Sequence, residues 1–344
     1  LILNAGNSGT LGRLLLGLLI NSEKKIKLIG DKSLSKRDFS RVTIPLKKFG
    51  ARFSSNNKLP LHIKGLKYPK PINYFENKGS AQVKTSLIMA ALKTKGLSKI
   101  KAKKSRTHTE IMLKNLKIPI KIKKTKNFDY IQIKGVNKIS PLHYNIPGDI
   151  SSSAFFLVLT ILSKNSEFLI KNININPSRT GIIEILKRMG ANIKIINKKI
   201  YKGECVGDIL VKSSKNLKSI NCPTKFNSSA IDEFLVIFLV AAKSKGISYF
   251  KNLSELNHKE SPRLYWSSKI LNLMGVKNIA TNDSIKIYGN PNLKINNKIH
   301  IKNYLKDHRI FMMSVIAGLT FGGSWKINDQ DSIKTSFPSF LKIL

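Results

Sequence analysis

Asp232 and Glu233 stand side by side ahead of an apolar run, Phe234 to Ala242. Farther on, Lys259-Glu260-Ser261-Pro262-Arg263 sets a carboxylate between two cations. Carboxylates of this kind move protons, and Lys and Arg hold anions, with Arg suited to bidentate contact with phosphate or carboxylate. The stretch 231–263 thus has the make-up of a site that grips an anionic substrate while a proton is taken or given. Spacing alone leaves blander readings open. Acids at a helix start also serve the helix dipole, and a short charge run also serves as a solvated face.

These residues belong to a repeat. NAGNSGT opens the apolar run LGRLLLGLLI, followed by the strand KIKLIGD and by SRVTIPLKKFGARF, a short helix stopped by Gly50 and then a strand. Ser80-Ala81-Gln82 opens VKTSLIMAALKTKG, and SRTHTE (105–110) opens IMLKNL and the strand IPIKIK. Gly148-Asp149-Ile150 opens a third copy, with Ser178-Arg179-Thr180-Gly181 before IIEILKRMGANIKII. A fourth starts at Asp232 and a fifth at Asp307-His308-Arg309. About five units, spaced roughly 70–80 residues apart, are too long for a common solenoid repeat. They predict compact domains of βα units around a pseudo-symmetry axis, with the apolar helices buried at the centre and the Arg-bearing ones amphipathic and outside. Each central helix opens on small or acidic polar residues: Ser8-Gly9, Ser80, Asp149, Asp232, Asp307. Pseudo-symmetry would point these N-termini the same way, and converging N-termini make an anion site. Arg13, Arg37, Arg106, Arg263 and Arg309 lie close to them in sequence. Tyr144-Asn145-Ile146-Pro147-Gly148 suits a crossover, which places the domain break at 147/148.

The net charge of +42 suggests nucleic acid as a partner, a reading of a different class. Against it, the lysines are spread over the whole length together with abundant Ile and Asn, and no basic–aromatic module stands out. The charge favours anionic small ligands. Cys205 and Cys222 have no CxxC partner and no nearby ligand histidine, so two reduced thiols and no metal are expected. His62, His108, His143, His258 and His300 show no ligand spacing. No apolar run approaches the ~20 residues that span a bilayer, and there is no signal-peptide layout, so a cytoplasmic, monomeric protein is expected.

The motifs NSGT with Arg13, GDKSLSKR (30–37), LPLHIKG (59–65), SAQVK (80–84), SRTHTE, PGDISSSAFF (147–156), NPSRTG (176–181), IDE (231–233), KES-P-R (259–263), DHRI (307–310) and TSFP (335–338) together resemble the 5-enolpyruvylshikimate-3-phosphate synthase family of enolpyruvyl transferases, nearly end to end. The resemblance implies an α/β fold of two pseudo-threefold domains, built of repeated βα units with buried parallel helices, that close on their ligands through a hinge. Residues 1–147 would form a first domain with two of its three units, and 148–344 a second with three. The implied reaction moves the enolpyruvyl group of phosphoenolpyruvate to the 5-hydroxyl of shikimate 3-phosphate and releases phosphate, without metal or organic cofactor. The partners are those two small molecules, with no nucleic acid and no membrane.

By matching position, Asp232 would be the base beside the attacking hydroxyl and Glu260 would handle the proton at the methylene carbon. Gly9, Arg37, Gln82, Arg263 and Arg309 fall on the phosphoenolpyruvate side. Ser80, Ala81, Gln82, Arg106, Asp232 and Lys259 fall on the shikimate-phosphate side. His308 is a further site candidate, although a lone histidine among apolar neighbours is more often structural. The sister enzyme acting on UDP-N-acetylglucosamine is a rival; it usually carries a reactive loop cysteine, which neither Cys205 nor Cys222 matches. Three departures stand out. The family's opening unit, with a Lys-Ser-x-x-x-Arg segment, has no counterpart here, so the 344-residue chain by itself is expected to be poorly active. Asp38 replaces a proline after Arg37, and Pro262 replaces an aspartate before Arg263. Lys334 is one residue out of register with a lysine that some members carry.

Overall fold

The computed structural model describes residues 1–344 other than Ser55. The chain forms two compact units, Leu1–Tyr144 and Asn145–Leu344. Each has its own apolar core, drawn from residues 5–133 in one unit and 150–340 in the other.

The first unit is one motif made twice. Its first copy runs β1 (Ile2–Asn4), α1 (Gly9–Leu18), β2 (Ile26–Ile29), the single turn α2 (Lys32–Ser35), α3 (Ser40–Lys47), β3 (Arg52–Phe53) and β4 (Leu61–Lys64). The second runs β5 (Asn73–Glu76), α4 (Ala81–Leu92), β6 (Leu97–Lys103), α5 (His108–Asn115), β7 (Ile120–Lys124) and β8 (Phe128–Lys134). The sheet orders are β1-β2-β4-β3 and β5-β6-β8-β7, and in each the first pair is parallel and the rest antiparallel. The repeat expected from sequence is therefore present as topology.

The second unit continues it. α6 (Ile150–Leu162), β9 (Glu167–Asn174), α7 (Gly181–Arg188), β10 (Asn192–Tyr201) and β11 (Glu204–Lys212) make a third copy. Its sheet is ordered β10-β11-β9, and Gly148 adds a single parallel bridge to Ile173. After the turn α8 (Asn227–Ala230) come α9 (Phe234–Lys243), β12 (Gly246–Phe250), α10 (Arg263–Leu273), β13 (Asn278–Ala280) and β14 (Ile285–Gly289), ordered β12-β14-β13. The last copy is shorter: β15 (Ile295–Ile301) pairs in parallel with β16 (Gly322–Ile327) around α11 (His308–Phe321), and α12 (Phe340–Ile343) closes the chain. The apolar helices α6, α9 and α11 pack pairwise at the centre of this unit, and α9 is buried from Phe234 to Ala242. α7 buries Ile182, Ile183, Ile185 and Leu186 and exposes Glu184, Lys187 and Arg188, the amphipathic pattern expected of an outer helix.

Local chemistry sets the helix ends. Ser8, Ser80, Asp149 and Asp307 each accept backbone N–H bonds as N-caps of α1, α4, α6 and α11. The outer helices stop on left-handed residues: Gly50 after α3, Gly190 after α7, Gly275 after α10, and Lys117 after α5.

Two expectations need correction. α1 is not a fully buried helix: Leu11 and Leu18 are exposed, and the buried stripe is Gly9, Gly12, Leu16 and Gly17. The stripe is rich in glycine where α4 lies very close. A Cβ on Gly17 would stand 2.2 Å from the Ser86 carbonyl oxygen. The second concerns Asp232, which does not open α9. The helix starts at Phe234 with Glu233 in the cap position and no side-chain cap bond, because residues 227–230 form a separate turn that leads into it. No helix among the described residues is long and apolar enough to cross a membrane.

Candidate functional site

In the second unit four helix starts meet. Arg263, the first residue of α10, is 1% exposed despite its charge. Its Nε donates to Asp307 Oδ2 at 2.9 Å and its Nη2 to Asp307 Oδ1 at 3.2 Å. Nη2 also pairs with Glu260 Oε2, and Nη1 lies 3.5 Å from Asp232 Oδ1. Asp232 Oδ1 accepts from Lys259 Nζ at 3.0 Å, and the Asp232 carbonyl accepts from Arg309 Nη1 at 2.8 Å. Ser261 Oγ donates to Asp307 Oδ2, while Asp307 Oδ1 caps α11 by accepting from the Arg309 N–H. A permanently charged guanidinium thus gathers three carboxylates from three segments.

This crowding sets the protonation states. Burial alone would raise the Asp307 carboxyl, but the charge and hydrogen bonds of Arg263 outweigh it and hold Asp307 down at about 2. Burial, reinforced by Arg309, pushes His308 down to about 4, so it is neutral at neutral pH. The same carboxylates raise Arg263 against the opposing effect of burial. Behind Asp232, the Glu233 carboxyl is fully buried; it accepts from Ser151 Oγ on α6, which in turn accepts from Arg179. Burial and then the neighbouring Asp232 charge raise Glu233.

The first unit gathers a second cluster at the starts of α1 and α4. Arg13 Nη1 donates to Gln82 Oε1 at 2.9 Å, and Gln82 Nε2 donates to Thr10 Oγ1 at 2.8 Å. Gly9 faces both guanidiniums: a Cβ there would stand 2.9 Å from Arg13 Nη1 and 3.3 Å from Arg37 Nη1. Ser80 and Ala81 open α4, and the buried Glu76 carboxylate accepts from the N–H groups of Lys78 and Gly79, which fixes the approach to that helix. Arg106 lies half-buried in the loop between β6 and α5. Thr109 at the start of α5 meets Thr85 on α4, with 2.8 Å between the hydroxyl oxygens.

Sequence-predicted residues therefore fall into two groups. Asp232, Lys259, Glu260, Arg263, His308 and Arg309 share one cluster, and Gly9, Arg37 and Gln82 another, with Ser80 and Ala81 at the same helix start as Gln82. Lys334 is exposed on the 3-10 turn Gln330–Thr335. The departures are legible too. The Asp38 carboxylate accepts from the Ser40 N–H at 2.8 Å to brace the start of α3, and the Asp38 carbonyl accepts from Arg13. Burial opposes its charge, but the Ser40 bonds keep its carboxyl low. Pro262 supplies no cap bond to α10. Sequence reasoning placed Asp307 at a helix start but missed it as the anchor of Arg263. An acid directly ahead of His308-Arg309 was the available signal. The Arg179–Ser151–Glu233 chain was also missed, although NPSRTG and IDE both marked its ends.

A family profile described as EPSP synthase (3-phosphoshikimate 1-carboxyvinyltransferase) matches residues 1–344. The chain is 41% identical to the 3-phosphoshikimate 1-carboxyvinyltransferase of Caldicellulosiruptor saccharolyticus, aligning 100% of this chain with 79% of that protein. It is 40% identical to the same-named protein of Ruthia magnifica, over 99% of this chain and 77% of the relative. Among solved structures, EPSP synthase from Acinetobacter baumannii superposes with a TM-score of 0.84 at 35% identity, covering 99% and 78% of the two chains. The enolpyruvyl transferase NikO from Streptomyces tendae superposes at 0.72 with 11% identity over 95% and 74%, a likeness of fold.

Proposed function

The chain belongs to the EPSP synthase family, and from that premise we propose how its residues divide the reaction. The protein transfers the enolpyruvyl group of phosphoenolpyruvate to the 5-hydroxyl of shikimate 3-phosphate and releases phosphate. Addition protonates the methylene carbon of phosphoenolpyruvate as the hydroxyl loses its proton; elimination then removes a proton from that carbon as phosphate departs. Two proton-handling groups are needed. Asp232 takes the hydroxyl proton, and Glu260 gives and reclaims the proton at carbon. Arg37, Arg263 and Arg309, with the open backbone at Gly9 and the Gln82 amide, hold phosphoenolpyruvate. Ser80, Ala81, Gln82, Arg106 and Lys259 hold shikimate 3-phosphate, and His308 flanks the cluster as a neutral side chain.

The observation that supports this division is that Asp232 and Glu260 both lie against the guanidinium of Arg263. One fixed cation holds the two carboxyl groups close together, and preorganised charge of this kind stabilises a transition state without reorganisation. Residues 1–147 and 148–344 are the two domains of this reading, carrying two and three repeat units. We further infer a cytoplasmic monomer that works without nucleic acid or membrane, which sedimentation at increasing protein concentration tests in part. Phosphate release measured with each acceptor separately tests the substrate: release with shikimate 3-phosphate alone is expected, and release with UDP-N-acetylglucosamine alone would overturn it.

A further inference from the structure

Lys84 is the most deeply buried cation in the first unit, with no exposed surface at all. It stands one helical turn after Ser80, and its N–H donates to the Ser80 carbonyl. Its Nζ lies 2.6 Å from Glu110 Oε1 on α5 and 3.9 Å from Asp129 Oδ2 on β8. Asp129, itself 1% exposed, is paired through its other oxygen with Lys104, two residues before Arg106. Glu110 is 3% exposed, and its Oε2 has no hydrogen-bond partner among the described residues.

An ion network so dry is poor value as a stabiliser. Desolvating the three buried charges, Lys84, Glu110 and Asp129, costs about as much as their attraction returns, and apolar side chains of the same volume often serve a core as well or better. What the network does supply is geometry. It ties the first turn of α4, which carries Ser80, Ala81 and Gln82, to the start of α5 and to the loop that carries Arg106. The Thr85–Thr109 hydroxyl contact lies between the same two helices.

We propose that Lys84 and Glu110 are positioning residues for the acceptor substrate: their buried pair sets the spacing between the 80–82 turn and Arg106, and so the fit of the phosphorylated cyclic acid. The inference rests on the assignment of those residues to shikimate 3-phosphate. It implies a specific asymmetry. Loosening the network weakens capture of the acceptor far more than that of phosphoenolpyruvate, which shares only Gln82 with the turn and is otherwise held by residues outside it.

The test uses the full chain with the double variant Lys84→Met/Glu110→Gln, which removes both charges while keeping side-chain shape. Steady-state kinetics are expected to show KM for shikimate 3-phosphate raised about fivefold or more, with KM for phosphoenolpyruvate and kcat at saturation within twofold and Tm close to the parent. An unchanged KM for shikimate 3-phosphate, or equal rises for both substrates, overturns the proposal. Lys104→Met, at the half-exposed end of the network, provides a variant that folds even if the double one does not. It is expected to raise the same KM two- to threefold, and no rise would also overturn the idea. The parent measured alongside separates the two layers: a parent that does not take shikimate 3-phosphate at all removes the premise, whereas a normal parent with unaffected variants removes only this inference.

Discussion

Arg263 Nε lies 2.9 Å from Asp307 Oδ2, and neither side chain is open to solvent. The pair fastens the start of α10 to the start of α11, and through the remaining donors of Arg263 it sets where Glu260 and Asp232 stand. Arginine stays charged when its partner is removed. Asp307→Asn should therefore take from the guanidinium the one of its three carboxylates that is itself fully buried, leaving it Glu260 and Asp232, and cost roughly 3 kcal/mol of stability. Urea unfolding of parent and variant checks this; a loss under about 1 kcal/mol would show that the pair is not buried as described.

Acid should lower the stability of the fold over two successive pH ranges. His308 titrates at about 4 in the folded protein and near 6.5 when unfolded. The unfolded chain therefore binds the extra proton first, and stability falls as pH drops through that window. Asp307 at about 2, against about 3.9 unfolded, contributes stability that is complete above about pH 4 and is lost as pH falls toward 2. His308→Gln should flatten the upper limb and leave the lower one. Unfolding free energies measured across pH 2–7 test it, and an unaltered upper limb in the variant would contradict the assignment.

Glu233 carries the opposite sign. Its folded pKa is raised by burial and by Asp232, so the stability it contributes is fully present below its unfolded value and is lost as pH rises through the folded one. Glu233→Gln keeps the hydrogen bond from Ser151 and cannot ionise. The variant should gain on the parent as pH rises above the carboxyl's unfolded value; a pH-independent difference between them would sink the idea.

Gly9→Ala tests the first-unit cluster. The atoms that a Cβ would crowd are the tips of Arg13 and Arg37, and flexible side chains can move aside, so the fold should tolerate the change. Phosphoenolpyruvate should not: its KM is expected to rise about tenfold, equivalent to about 1.4 kcal/mol, with KM for shikimate 3-phosphate little changed. Equal shifts in both constants would point to a general distortion instead.

How much of this was legible beforehand depends on the range over which each feature is encoded. The N-caps Ser8, Ser80, Asp149 and Asp307 and the stops Gly50, Gly190 and Gly275 are local signals, and the repeat of those signals gave the architecture. Lys117 hid one stop because it takes a left-handed conformation (φ 56°) where the other repeats use glycine. Asp232 was misplaced by two residues relative to its helix because the turn α8 looks, in sequence, like part of the same cap. Nothing in the local sequence marks Lys84, Glu110 and Asp129 as partners of one another. Only the fold brings α4, α5 and β8 together and makes them a buried set, just as it brings Arg13 to Gln82 across 69 positions.

The role given to Asp232 stands or falls on kcat. With both substrates saturating, Asp232→Asn keeps the shape beside Lys259 and Arg263 but loses the base, and phosphate release should slow by about 10²–10⁴-fold. A rate within threefold of the parent would mean that another group takes the hydroxyl proton.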